Sequence, residues 1–357
     1  MHIDWKHLAI ALAVLPVAVL FVTWIGFFNV GASTGHWRVT EWFLHFAMRS
    51  AVRTYSLAVE VPDELPRHAI QPAAGHFALG CAICHGAPGE PRTPAVNLML
   101  PHPPDLAPIV GEWTDAELFR IVKHGVRFTG MPAWPTQQRD DEVWAMVAFL
   151  RDLPDMDEKT WRDLAYGGTQ TSTGRTRELE DAIAQCARCH GGDGLGRSAA
   201  TPILAGQSET YLAESLRAFA AGERQSGVMA IPANAVDPAL FDALARHFSA
   251  LPAPLSAAGR DAELIARGET IARQGVRTRD VPACLGCHGE AGRNPHYPEL
   301  SGQPGEYIAA QLNLFRAGNR GGTRFQHLMQ AAAKNLSDDE IAALAAYFAQ
   351  RPRTVRP

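Results

Sequence analysis

Cysteine is scarce in this chain. There are six in 357 residues, far below the density of a scaffold held together by disulfides. Charge is sparse too: 20% of residues are charged, the net charge is −4 with His neutral, and no Lys/Arg block occurs. A basic nucleic-acid-binding face is therefore excluded. A hydrophobic content of 46% excludes wholesale disorder, and the length suits two or three domains rather than one.

Long apolar runs are few. Leu8 to Val30 is a stretch of 23 residues without a charge, interrupted only by Pro16, Thr23, Gly26 and Asn29. As a helix it would be about 35 Å long, enough for a hydrocarbon core of about 30 Å. A signal peptide cut after Ala32 is the alternative, but signal cores are shorter, so residues 1–36 are read as a retained membrane anchor. Only Lys6 and Asp4 lie nearby in front of it, so charge gives little help with orientation. Residues 37–59 mix Trp37, Trp42, Phe43, Phe46 and Tyr55 with Arg38, Arg49 and Arg53. Their apolar run is too short for a second span, and they are expected to form an interfacial juxtamembrane helix. Docking to a membrane partner subunit is the alternative.

All six cysteines fall in three copies of one pattern: CAICH (Cys81, Cys84, His85), CARCH (Cys186, Cys189, His190) and CLGCH (Cys284, Cys287, His288). C-x-x-C-H is the attachment signature for c-type haem. Two thiols three positions apart can form thioethers to the vinyl groups of one macrocycle, and the next residue, His, supplies an axial nitrogen to the iron. A zinc site would need four ligands and leave one pair over; a redox C-x-x-C has no use for the following His. Three covalently bound haem c groups, each containing iron, are the expected cofactors. Haem is joined to such motifs outside the bacterial inner membrane, so the chain after residue 31 is expected in the periplasm.

The motifs open an internal repeat. A methionine follows each: Met131 in TGMPAW, Met229 in GVMAIP and Met329 in QHLMQA, at 46, 39 and 41 residues from the motif His. A proline lies 23 residues after each methionine (Pro154, Pro252, Pro352). The segments between read as helices over Asp140–Leu153, Pro238–Leu251 and Ser337–Gln350, with Asp140 and Ser337 as caps. Repeats two and three share Pro-x-Leu (Pro202, Leu204; Pro298, Leu300), Gly-Gln (Gly206, Gln207; Gly302, Gln303), a Tyr (Tyr211; Tyr307) and an Arg two residues after a Gly (Arg224; Arg320). Repeat one keeps a displaced Pro104 and Leu106 and a helix from Thr114 to His124 closed by Gly125. The resulting divisions are 60–154 for domain 1, a linker over 155–174, 175–254 for domain 2 and 258–357 for domain 3. Domains 2 and 3 are expected to pack together, with domain 1 on a longer tether.

The sixth iron ligand separates electron carrying from catalysis, because an open position admits a substrate. His85, His190 and His288 are the expected ligands on one face; Met131, Met229 and Met329 are the candidates on the other, where core filling is the plainer role for a methionine. Met99 and Met146 are weaker rivals for Met131, as are His102 and His124; His327 is a rival for Met329. Pro202 and Pro298 are read as aiming a carbonyl at the proximal His ring, and Tyr211, Tyr307, Trp134 and Trp144 as packing groups.

With these motifs in place, each repeat resembles a class I cytochrome c domain, and residues 175–357 resemble tandem di-haem cytochromes of the c4 type. Domain 1, with Gly130 to Trp134 reading GMPAW, resembles the single-haem modules fused to oxidases and dehydrogenases. The resemblance implies an all-α fold of three tandem domains after a transmembrane helix. It also implies an electron-transfer protein, not an enzyme by itself, in a respiratory chain between a quinol-oxidising complex and a terminal oxidase. The alternative role is the electron-accepting cytochrome subunit of a periplasmic quinoprotein alcohol or sugar dehydrogenase; a haem peroxidase is a third reading. The extra domain and anchor depart from the tandem family, so its partners are not carried over.

Overall fold

The computed structural model describes residues 4–27, 31, 34–168, 177–253, 261–289 and 294–352. The proposed cleavage point at Ala32, most of the GGTQTSTG stretch and residues 254–260 lie outside them. The chain is all-α, and among the described residues the only β pairings are two isolated bridges.

Helix α1 (Trp5–Trp24) starts at an Asp4 cap that accepts from the Lys6 amide. It is the one helix among the described residues long and apolar enough to cross a membrane. Its 20 residues span about 30 Å. Helix α2 (Arg38–Ser56) sorts its mixed sequence by face. Val52 and Ser56 are buried, Arg49 pairs with Glu112 at 3.1 Å and lies over the Trp113 ring, and Arg120 lies over Tyr55. Trp37, Trp42, Phe43 and Phe46 remain exposed.

Three hydrophobic clusters follow. The first is built by α3 (Ile70–Gly80), the short α4 (Ala82–His85) and, after the separate short turn α5 (Pro94–Asn97), by α6 (Asp115–His124), α7 (Asp140–Asp152) and α8 (Glu158–Tyr166); Phe77, Phe149 and Trp161 meet at its centre. The second joins α9 (Leu179–His190), α10 (Glu209–Ala220), α11 (Gly227–Ala235) and α12 (Phe241–Ala250) around Phe241, Leu244 and Phe248. The third joins α13 (Ala262–Gln274), α14 (Leu285–His288), α15 (Gly305–Arg316), α16 (Gln326–Ala333) and α17 (Asp338–Gln350) around Phe315, Leu344 and Phe348. Capping boxes fix two starts: Thr114 with Glu117 opens α6 and Ser337 with Glu340 opens α17, each satisfying two amides that a helix start leaves unpaired. Asp140 is not a cap. Arg139 holds that position on α7 without a side-chain cap bond, which frees the acidic turn behind it for another partner.

Two expectations are corrected. The segment read as a polar linker folds through 166 as α8, with Trp161 fully buried in the first cluster; one large aromatic on a short amphipathic turn outweighs the polar composition around it. Nor does the first unit sit on a long tether. Gln71 Nε2 donates to the carbonyls of Leu164 and Arg188 at 3.3 and 3.2 Å, and the Arg188 guanidinium donates to the Ala165 carbonyl. A Cβ on Gly75 would stand 2.9 Å from the Cys189 sulfur, so glycine is what lets α3 approach the second motif so closely.

His76 is buried at this junction, its ring centroid 4.2 Å from that of Trp134. Burial pushes its pKa down to about 4, against a backbone hydrogen bond to Gly227 that acts the other way. The unfolded chain then binds the extra proton first, so this contribution to stability is complete above about pH 6.5 and lost as the pH falls toward 4. The loss should approach about 3 kcal/mol. Denaturation of the parent and His76→Gln across that window should show the extra acid loss in the parent alone.

Candidate functional site

Each C-x-x-C-H sits at a helix end or on a short turn. Cys81 closes α3 and α4 carries Cys84 and His85; α9 runs through its whole motif to His190; Cys284 opens α14, which ends at His288. One helical turn puts both thiols of a pair on the same side, with the His next to the second. All six thiols are free of disulfides. Burial pushes Cys81 and Cys186 up to about 12 and Cys284 to about 11, and the second thiol of each motif adds to it. A thiol–disulfide reagent needs the opposite shift. Among the described residues no group of three or more His, Cys, Asp or Glu side chains is placed to hold a metal ion.

The three motif histidines share one contact. Nδ1 of His85 lies 2.9 Å from the Pro104 carbonyl, Nδ1 of His190 3.1 Å from that of Pro202, and Nδ1 of His288 3.1 Å from that of Pro298. A carbonyl only accepts, so each ring carries its proton on Nδ1 and presents the Nε2 lone pair. Burial lowers all three pKa values while the carbonyl bond opposes it. Pro104 was recognisable in the sequence only as a displaced Pro-x-Leu; its role in the first unit matches the other two.

A cavity of about 570 Å³ runs through the second and third units and along the first, where His76 and Glu142 line it; its volume is within the size range of sites that bury a small molecule or cofactor. Its wall includes Cys186, Cys189, His190 and Met229 of one unit and Cys287, His288 and Met329 of the other. His327 is exposed, while Met329 lines the cavity and packs on the third cluster. In the first unit Met131 is half-buried on the loop after α6. The loop is fixed by Met131 N donating to Thr129 Oγ1 at 3.0 Å and Val126 N donating to the Met131 carbonyl at 3.2 Å. Among its rivals, Met146 is sealed in the core, His102 and His124 are exposed, and Met99 reaches Gly130 beside the same loop.

The cavity wall also carries two buried cations, Arg224 and Arg320, and among the described residues neither has a carboxylate partner. Arg224 donates to Ser215 at 2.9 Å and to Tyr211 and Tyr307 at 3.3 Å. Arg320 donates to Tyr211 at 2.9 Å, and its Nε has no partner. Burial alone would raise the Tyr211 hydroxyl, but the two guanidiniums outweigh it and bring it down to about 7. A buried cation needs a counter-charge. A haem, with two carboxylate side chains, two thioether positions and an iron seeking a nitrogen and a sulfur, fits this donor set. The arginines recur at equal offsets in the sequence, a signal that marked them as repeated without showing their charge to be uncompensated.

The units are also tied by a reciprocal pair. Gln207 exchanges hydrogen bonds of 3.0 and 2.7 Å with the carbonyl and amide of Glu299, beside Pro298. Gln303 does the same with Ile203, beside Pro202, at 2.8 and 3.0 Å. Each Gly-Gln motif therefore braces the turn that orients the other unit's histidine.

Comparison with known proteins agrees with this chemistry. Residues 68–150 match the family described as cytochrome c oxidase, cbb3-type, subunit III, and residues 265–351 match the cytochrome c family. The chain is 39% identical to a thiosulfate dehydrogenase electron acceptor of Stutzerimonas stutzeri, over 47% of this chain and 79% of that protein. It is 34% identical to cytochrome c4 of Azotobacter vinelandii, over 52% and 93%. The crystal structure of reduced cytochrome c4 from Pseudomonas stutzeri aligns with 49% of this chain and all of its own, at 30% identity and a TM-score of 0.45. The chain belongs to the class I c-type cytochromes, electron-transfer proteins with covalently bound haem c, and resembles the tandem domains of cytochrome c4.

Proposed function

We propose that this protein is a membrane-anchored periplasmic carrier with three haem c groups, held by Cys81 and Cys84, Cys186 and Cys189, and Cys284 and Cys287. His85, His190 and His288 would bind iron on one face and Met131, Met229 and Met329 on the other. The observation that carries this reading is the triple recurrence of C-x-x-C-H with its His ring fixed by a proline carbonyl. An iron closed by imidazole and thioether changes oxidation state with little rearrangement, and the thioether raises its potential. The protein's own part is to hold each imidazole in one tautomer, exclude water with the aromatic and aliphatic cores, and supply buried positive charge through Arg224 and Arg320. Helix α1 is the anchor, and the exposed aromatic face of α2 lies at the headgroup level.

The physiological role we favour is transfer from a quinol-oxidising complex to a terminal oxidase, which the oxidase-subunit match of the first unit supports. The dehydrogenase reading draws support from the relatives named thiosulfate dehydrogenase electron acceptor, which favour an inorganic sulfur donor over an alcohol or sugar. Detergent extraction followed by affinity purification of the full chain distinguishes them. Co-purifying oxidase subunits, with reduction of the haems by quinol, are expected; a co-purifying dehydrogenase and reduction only by its substrate would overturn the oxidase role.

A further inference from the structure

The start of α11 carries Met229 two residues from its first position, and its polar groups end on another unit. Ser226, the N-cap, accepts from the Met229 amide at 3.1 Å and donates its own hydroxyl to Glu142 Oε1 at 2.5 Å. The amides of Gly227 and Val228 donate to Glu142 Oε2 at 2.7 and 3.3 Å. Glu142 belongs to α7 of the first unit and is buried. There it pairs with Arg139 at 2.8 Å and accepts from Trp134 Nε1 at 3.2 Å. Arg139 reaches across as well, donating to the Gln225 carbonyl at 2.9 Å. Trp134 lies so close to Gly227 that a Cβ there would overlap the indole.

Glu340 stands in the third position of α17 and closes a capping box with Ser337. Glu142 stands in the same position of α7, but Arg replaces the Ser as cap, and the carboxylate is turned outward to cap a helix in the neighbouring unit. A helix start leaves its first amides without partners, and a carboxylate there also meets the positive end of the helix dipole.

We infer that Glu142 is a positioning residue for the second unit: it holds the turn that presents Met229, and through Trp134 it joins that turn to the GMPAW loop carrying Met131. The first unit thereby sets how firmly the second centre is closed. This rests on the assignment of Met229 as an iron ligand proposed above. Without the carboxylate, three amides and a hydroxyl lose their acceptor or its anchor, and the Met229 turn is free to open.

The test uses the full-length, haem-loaded protein. In Glu142→Ala, hydrogen exchange at the Gly227–Met229 amides should accelerate at least tenfold, and the long-wavelength absorption of ferric Met-ligated iron should fall by up to about one third, the share lost in Met229→Ala. Glu142→Asp, which retains a carboxylate, should recover part of both. Ser226→Ala, which leaves Glu142 in place and cuts only its link to the Met229 amide, should accelerate exchange there even if the Glu142 variants fail to fold. Unchanged exchange in Glu142→Ala or in a Ser226→Ala protein, or unchanged absorption in Glu142→Ala where Met229→Ala lowers it, would overturn the clamp. If Met229→Ala itself leaves the absorption intact, the ligand assignment falls and takes this inference with it; if it removes its share while Glu142→Ala does not, only the clamp falls.

Discussion

Met229→Ala should turn one closed centre into an open one. The reduced variant is expected to bind about one carbon monoxide per chain, and the potential of that centre should drop, because the thioether that raised it is gone. Met131→Ala and Met329→Ala should do the same at their own centres, with haem still attached through the cysteines. The rival residues make the result specific. His327 is exposed while Met329 faces the cavity, so His327→Ala should leave every centre closed. Met99→Ala should do so too, although Met99 reaches Gly130. Carbon monoxide titration with potentiometry checks all five variants; an open centre in Met99→Ala instead of Met131→Ala would move the first ligand.

Arg320→Met is expected to have the second large effect. Methionine keeps much of the volume and removes the charge, so a haem carboxylate would be left buried without its partner. Breaking a buried pair from one side costs about 3–5 kcal/mol, and denaturation of the loaded protein should show a loss of that order. Removing a positive charge also disfavours the added electron, so one C-terminal centre should fall in potential. Arg320→Lys should recover part of each effect, since a point charge replaces only some of what a planar fork provides. Equal stability of Arg320→Met and the parent would mean that Tyr211 and the ring of Phe315 satisfy the guanidinium unaided.

The three C-x-x-C-H motifs stand out in the sequence because residue type and spacing recur together, and two of the helix starts because caps and period agree. Ser337 and Thr114 stand where capping boxes form. Asp140 misled because an acidic residue in the first turn resembles a cap, and Arg139 took that place. The linker misled for a different reason: Asp155 to Thr176 is polar on average, yet Trp161 buries completely against Phe77 and Phe149, and one aromatic decides the docking of so short a helix. Pro202 and Pro298 could be assigned to their histidines from the repeat alone, whereas Pro104 needed the folded chain because its spacing from His85 differs. The meeting of Glu142 with Ser226 was not legible at all. The two are 84 residues apart in the chain, and nothing local to either marks the other.

The electrostatic side of the site was hidden for the same reason. Arg224 and Arg320 recur in register, but recurrence does not tell an exposed arginine from one buried without a carboxylate. Only the packed interface shows that both guanidiniums converge on Tyr211. The Gly-Gln motifs changed meaning in the same way, from repeated letters to braces across two units.

The central claim is that electrons alone enter and leave these centres. Titration of the reduced, native full-length protein with carbon monoxide tests it most directly. The account predicts no uptake at any of the three centres until denaturant is added, and stoichiometric uptake by the folded protein would contradict it.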